Sequence, residues 1–230
     1  MKCVILSAGR GTRMGELCDD CPKPMLPIKG RPKLAYTLDI LPESITEVIF
    51  VVGYLQEQIR EYFGAEHMGR KITYVEQEVL SGTADALMLT APLLDGEKFL
   101  VLNGDDLYDR SDLEKMLEND FATLGLQVDD ISEYAFVQTY DDGTVRDIIE
   151  APHDGRGEGI IATGAFVLTS DFFALPQIPK APGSDEFGLP QTLIAAHPEI
   201  KTQLIKTKKW YPIGHPENLE AAQEIIHDFL

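Results

Sequence analysis

A short apolar run, Val4-Ile5-Leu6, passes directly into Ser7-Ala8-Gly9-Arg10-Gly11-Thr12-Arg13-Met14-Gly15, and this junction constrains the chain more than any other stretch. The run reads as a buried strand cut off by turn formers. Glycines placed straight after a strand let backbone N–H groups turn inward and close on an anion. Arg10 and Arg13 add guanidiniums able to make bidentate, charge-assisted contacts with phosphoryl oxygens. The junction predicts a sheet strand whose carboxyl end delivers a phosphate loop.

Two familiar phosphate loops do not fit it. A dinucleotide fingerprint needs Gly-x-Gly-x-x-Gly opening a full helix, with an acidic residue about twenty positions later. Gly9, Gly11 and Gly15 miss that spacing by one residue, Pro22, Pro24 and Pro27 follow too soon for a full helix, and Lys29 to Lys33 is basic where the acid belongs. A P-loop needs Gly-Lys-Ser/Thr, and no glycine here supplies it.

Charge narrows the ligand. The chain of 230 residues carries a formal charge of −18, which argues against a broad nucleic-acid surface. Residues 1–33 nevertheless hold seven Lys/Arg against three Asp/Glu, a net +4, and leave −22 for the remainder. Positive charge gathered beside a glycine loop in an acidic protein points to a small anion. Cys3, Cys18 and Cys21 make no disulfide framework, and Cys18-x-x-Cys21 lacks the second pair of a zinc site. No targeting segment or apolar membrane span is read, so the expected setting is the reducing cytoplasm, with no membrane partner.

Periodicity supplies the fold class. Val48 to Val52, Ile72 to Glu76 and Phe99 to Leu102 read as strands, and Lys33 to Leu41, Leu55 to Phe63 and Thr83 to Leu89 as helices. Ser111-x-x-Glu114 reads as a capping box opening a further helix. Alternating strands and helices predict an α/β fold, a Rossmann-like, mostly parallel mixed sheet flanked by helices with ligands beyond the strand ends. Thr123 to Val128, Ala135 to Tyr140, Val145 to Ile149 and Ile160 to Leu168 read as a smaller β-rich subregion laid against that sheet, and Pro216 to Phe229 as a closing helix. One domain is expected over 1–230, with the alternating strands and helices in 1–120 and the β-rich subregion and closing helix in 121–230. Phe172-Phe173-Ala174-Leu175 serves equally as core or as the contact of a homo-oligomer, so oligomeric state stays open.

Asn103-Gly104-Asp105-Asp106 follows an apolar strand, and carboxylates at a strand end suit a hard divalent cation. Side chains alternate across a strand, so one of the two is expected to face the site.

Leu6-Ser7-Ala8-Gly9-Arg10-Gly11-Thr12-Arg13-Met14 and Pro22-Lys23-Pro24-Met25-Leu26-Pro27 together resemble the paired signature of the sugar-1-phosphate nucleotidyltransferases. The resemblance implies that Ala8, Gly9 and Gly11 wrap a nucleoside triphosphate, that Arg13 and Lys23 contact its phosphates as the catalytic cations, and that Asp105 holds Mg2+. Gln77 and the Ser81-Gly82-Thr83-Ala84-Asp85 segment are similar to the family's base-reading elements. An amide that donates and accepts suits a pyrimidine edge, and Gly82 would let the base press on backbone, favouring UTP or dTTP over a purine. The reaction implied joins the triphosphate to a sugar 1-phosphate and releases pyrophosphate.

The acceptor side departs from the family pattern. Ala135, Ala151 and Ala162 stand where a glycine, an acceptor-phosphate lysine and an asparagine are usual, while Glu150 and Gly164 remain as sugar contacts and Asp185-Glu186 is placed over that pocket. Pro212 replaces a second metal carboxylate. Two other readings follow: a non-catalytic nucleotide or nucleotide-sugar binder with a regulatory role, and an enzyme whose acceptor is a non-sugar phosphomonoester.

Overall fold

The computed structural model describes residues 1–94 and 96–230. Four parallel strands form its centre: β1 Lys2–Ser7, β2 Glu47–Val52, β3 Arg70–Glu76 and β4 Phe99–Asn103, in the order β4-β1-β2-β3. In register, Leu6 lies opposite Asn103, Ser7 opposite Val52, and Val52 opposite Glu76, so all four carboxyl ends meet along one edge. The crossovers contribute α1 Lys33–Asp39, α2 Gln56–Phe63 and α3 Thr83–Met88. Further on come α4 Arg110–Met116, α5 Leu189–Ile194 and α6 Pro216–Ile225. Strand alternation divides the apolar residues between two layers. Cys3, Ile5, Phe50 and Leu102 pack under α1, α2 and α4, whereas Val4, Ile49, Val51 and Val101 pack under α3 and α5.

The β-rich half comprises β5 Ala122–Val128, β6 Phe136–Thr139, β7 Val145–Ile149, β8 Gly159–Leu168 and β9 Gln203–Thr207. It extends the central sheet instead of lying against it, because β8 pairs antiparallel with β4 through Ala165–Leu102 and Leu168–Phe99. The earlier half of β8 pairs with β6 and β5, and the β5 pairing slips register between Ala162 and Phe166. Gly164 sits in that slip at φ 72°, where a side chain would be strained, and the bend lets one strand serve two neighbours.

Local chemistry shifts two expected boundaries. Asp109, not Ser111, caps α4: its carboxylate accepts from the Ser111 N–H at 2.9 Å, and the Ser111 hydroxyl is itself spent on Asp109. The closing helix is α-helical only to Ile225 and then tightens into a 3-10 turn over Ile226–Phe229. Leu219, Ala222, Ile226 and Phe229 are all buried, as their spacing predicts, and they pack on Met14, Cys18, Leu26 and Ile28. The C-terminal segment thus clamps the chain that follows the glycine loop.

Candidate active site

The loops leaving β1, β2, β3 and β4 are tied to one another. The Gly104 N–H donates to the Leu6 carbonyl at 2.9 Å, Gln77 N–H to Val52 at 2.8 Å, and Tyr54 N–H to Ala8 at 3.2 Å. Above them lie a cavity of about 500 Å³ and an adjoining one of about 250 Å³ that share Gly9, Arg13 and Asp105. Ala8, Gln77, Gly82, Glu150 and Gly164 line the larger, and Gly11 and Lys23 the smaller, so all ten residues singled out from the sequence face one connected space. Gly11 packs the glycine loop against the block that carries Lys23. It has φ 67°, and a Cβ there would come within 2.9 Å of both Lys23 Cβ and Cys18 Sγ.

Charge is concentrated where β4 ends. Lys23 Nζ meets Asp105 Oδ2 at 2.5 Å. Asp105 faces the cavities, while the buried Asp106 turns away and accepts from the Tyr108 hydroxyl at 3.2 Å. Behind them Lys33 is fully buried, its ammonium donating to the Gly104 carbonyl at 2.8 Å. Burial pushes the Asp105 carboxyl up, but the ammoniums of Lys23 and Lys33, the bond from Lys23 and the charge of Arg13 outweigh it and hold it below the usual carboxylate range. Asp106 goes the other way, raised by burial and by Asp105. Burial lowers Lys33 to about 7 despite the neighbouring Asp105.

Lys33 gives a pH signature. Its folded-state pKa lies below the value of about 10.4 expected for an unfolded lysine, so between those limits the unfolded chain binds the extra proton and stability rises with pH. Lys33→Met removes this group, so the stability of wild type relative to the variant is expected to rise from about pH 7 to about pH 10. Urea unfolding at stepped pH, in the absence of divalent cations, measures it.

On the β3 side Gln77 is buried, and its amide Nε2 donates to the Gly82 carbonyl at 3.2 Å and lies 3.4 Å from Asp85 Oδ2. Gly82 has a reason of its own. Residues 178–188 fold into a small hairpin, bridged between Pro179 and Phe187, whose Phe187 N–H donates to Ser81 at 2.7 Å and whose Phe187 carbonyl accepts from Ala84 at 3.0 Å. A Cβ on Gly82, at φ 103°, would lie 2.2 Å from that carbonyl oxygen. The close approach is therefore to the hairpin's backbone. Gly82→Ala is expected to cost about 1–3 kcal/mol of stability, read by denaturant unfolding, because backbone on both sides must shift.

On the β-rich side Glu150 accepts from Gln191 Nε2 at 3.3 Å. Ala135 and Ala162 line the larger cavity, but Ala151 is exposed and lies beside Pro152 and His153 in a separate hollow. Pro212 is the ladder partner of Asp106, and the next N–H, Ile213, donates to the Asp105 carbonyl at 3.1 Å. The residue in the place of a second metal carboxylate thus adjoins Asp105 and offers no oxygen ligand from its side chain. Among the described residues no three His, Cys, Asp or Glu side chains gather into a metal cage. Where β4 runs out, Asp105 is the carboxylate that faces the cavities, and one such ligand fits a hard cation that takes its other ligands from phosphate oxygens and water.

Two charged residues at the site escaped sequence reasoning. Lys33 stands one position from the apolar face of α1, where a lysine is by default solvated, and Lys180 lies in a stretch of Pro, Gly and Ser without periodicity.

Comparison with known proteins gives the family. A sequence profile of the nucleotidyl transferase family matches residues 2–228, and the chain belongs to that family. It is 28% identical to the UTP–glucose-1-phosphate uridylyltransferase AglF of Haloferax volcanii, over 99% of this chain and 97% of that protein. It is 37% identical to the D-glycero-alpha-D-manno-heptose 1-phosphate guanylyltransferase of Campylobacter jejuni, over 75% of this chain and 78% of that one. It spans 55% of the bifunctional protein GlmU of Methanocaldococcus jannaschii, at 28% identity over 99% of this chain. The crystal structure of HddC from Yersinia pseudotuberculosis superposes with a TM-score of 0.76 at 26% identity, covering 98% of this chain and 99% of that one. The α/β class and the mostly parallel sheet read from the sequence are those of this family.

Proposed function

We propose that the chain condenses UTP or dTTP with a sugar 1-phosphate, releasing pyrophosphate and a nucleotide-sugar, with Mg2+ as cofactor. Residues 1–230 then act as one cytoplasmic domain, with the donor held by 1–120 and the acceptor by 121–230. The observation that carries this reading is the convergence of Arg13, Lys23 and Asp105 on one space beside a buried amide, Gln77.

The acceptor phosphate is already anionic near neutral pH, so no general base is needed for its oxygen to attack the α-phosphorus in line. What the protein must supply is position and charge. Gly9 and Gly11 admit the triphosphate close to backbone N–H groups, while Arg13 and Lys23 offset negative charge on the phosphoryl oxygens and on the departing pyrophosphate. Asp105 is the residue to hold Mg2+, which when bound neutralises phosphate charge and fixes phosphate geometry. Lys23, paired with Asp105 at 2.5 Å, lines the smaller cavity, where its ammonium would also meet a phosphoryl oxygen. Gln77 and Gly82 line the wall where a base would lie, and Glu150 and Gly164 the wall where a sugar would lie.

The Campylobacter relative favours a second donor, GTP. Calorimetric titration of UTP, dTTP and GTP with Mg2+ separates the two. Tight binding of a pyrimidine triphosphate and weak binding of GTP is the expected result, and the reverse order rejects the pyrimidine reading.

A further inference from the structure

We infer that Lys180 recognises the phosphate of the acceptor, taking over a charge that Ala151 does not provide. This rests on the nucleotidyltransferase reading and names the residue that gives it an acceptor side.

A phosphomonoester brings negative charge into a low-dielectric cleft and needs a cation there. The walls of the larger cavity present two, Arg13 and Lys180, against the carboxylates of Asp105, Glu150 and Glu186. Arg13 also lines the smaller cavity with Gly11 and Lys23, which places it at the triphosphate end. Lys180 comes from the hairpin, with Glu186 and Gly188, and Gln191 of α5 lines the same cavity. Ala151 lies outside this space in the separate hollow with Pro152 and His153. Lys180, on the hairpin, is thus the cation that lines the larger cavity besides Arg13.

The hairpin holds Lys180 by its backbone and leaves its side chain half exposed. Its N–H donates to the Glu186 carbonyl at 2.7 Å, Gly188 N–H to Ile178 at 3.0 Å, and Ser184 N–H to Ala181 at 3.0 Å. Phe187 fixes the same hairpin to Ser81 and Ala84 on the nucleotide side, and the Leu189 N–H donates to the Thr83 hydroxyl at 3.0 Å. The Lys180 ammonium pairs with Glu186 at 3.7 Å, and both side chains are about half exposed, at 49% and 53%. A pair that long and that exposed contributes little and yields readily to a phosphate dianion.

The test compares wild type with Lys180→Met, Lys180→Arg and Lys206→Met, the last removing an exposed lysine elsewhere. With a pyrimidine triphosphate, Mg2+ and glucose 1-phosphate, Lys180→Met is expected to raise the acceptor KM by about 10- to 100-fold and to leave the triphosphate KM within about twofold, as loss of one charge-assisted contact implies. Lys180→Arg should keep most of the affinity, and Lys206→Met should match wild type. An unchanged acceptor KM in Lys180→Met overturns the inference. Failure of the wild type to turn over is a separate result that rejects the proposed function. The inference is then read by calorimetry with glucose 1-phosphate alone: binding weakened about tenfold by Lys180→Met supports it, and equal binding overturns it.

Discussion

Asp105→Asn is expected to lower kcat by about 10²- to 10³-fold while leaving triphosphate affinity within a few-fold, the pattern of a charge used in the transition state rather than in the ground state. The substitution keeps the shape and removes the charge. Asp105 lies two residues beyond β4 and lines both cavities, with Lys23 at 2.5 Å and the charges of Lys33 and Arg13 acting on it. Those cations hold it ionised against its burial. An asparagine would leave the Lys23 ammonium without its partner and offer Mg2+ a neutral oxygen. Asp106 cannot stand in, because it is turned into the protein toward Tyr108. Steady-state pyrophosphate release with a nucleotide-binding titration separates the two effects. An Asp105→Asn variant that keeps wild-type kcat would remove Asp105 from the chemistry.

Arg13→Ala is expected to reduce kcat/KM by about 10²- to 10³-fold, with Arg13→Lys recovering only part of the loss. Arg13 lines both cavities and so stands at their junction, where the proposed reaction would shift charge as pyrophosphate departs. Its guanidinium tip lies beside Gly214, where an added Cβ would be 3.9 Å from Nη1, so the C-terminal segment leaves room for the side chain. A planar fork contacts two oxygens at once and an ammonium one, hence the partial rescue by lysine. Equal kcat/KM for Arg13→Ala and wild type would place the working cation elsewhere.

Much of this site is legible in the residues because short-range chemistry determines it. The strand Val4-Ile5-Leu6 followed by Gly9 and Gly11 specifies a phosphate loop, and the spacing of the central strands puts Gln77 and Asp105 at the same sheet edge. What escapes depends on contacts far apart in sequence. Lys33 is buried because Gly104, 71 residues away, presents its carbonyl to the ammonium, and nothing next to Lys33 signals this. The hairpin of 178–188 is held by backbone bonds to Ser81 and Ala84, so composition reads it only as a loop. The glycine at 82 is legible as a close approach, but its partner is Phe187. The β-rich half is recognisable as strands, while its continuity with the sheet rests on the bend at Gly164.

The central claim is that these convergent cations and Asp105 serve transfer of a nucleotidyl group to a phosphomonoester. The direct measurement is mass spectrometry of products, with pyrophosphate counted in parallel, after incubating the protein with Mg2+, each of UTP, dTTP and GTP, and a mixed pool of sugar 1-phosphates and alcohol phosphates. A nucleoside-diphosphate sugar formed from UTP or dTTP in equal amount to pyrophosphate, and lost in Asp105→Asn, is the predicted result. Tight triphosphate binding with neither condensed product nor pyrophosphate from any combination would contradict it.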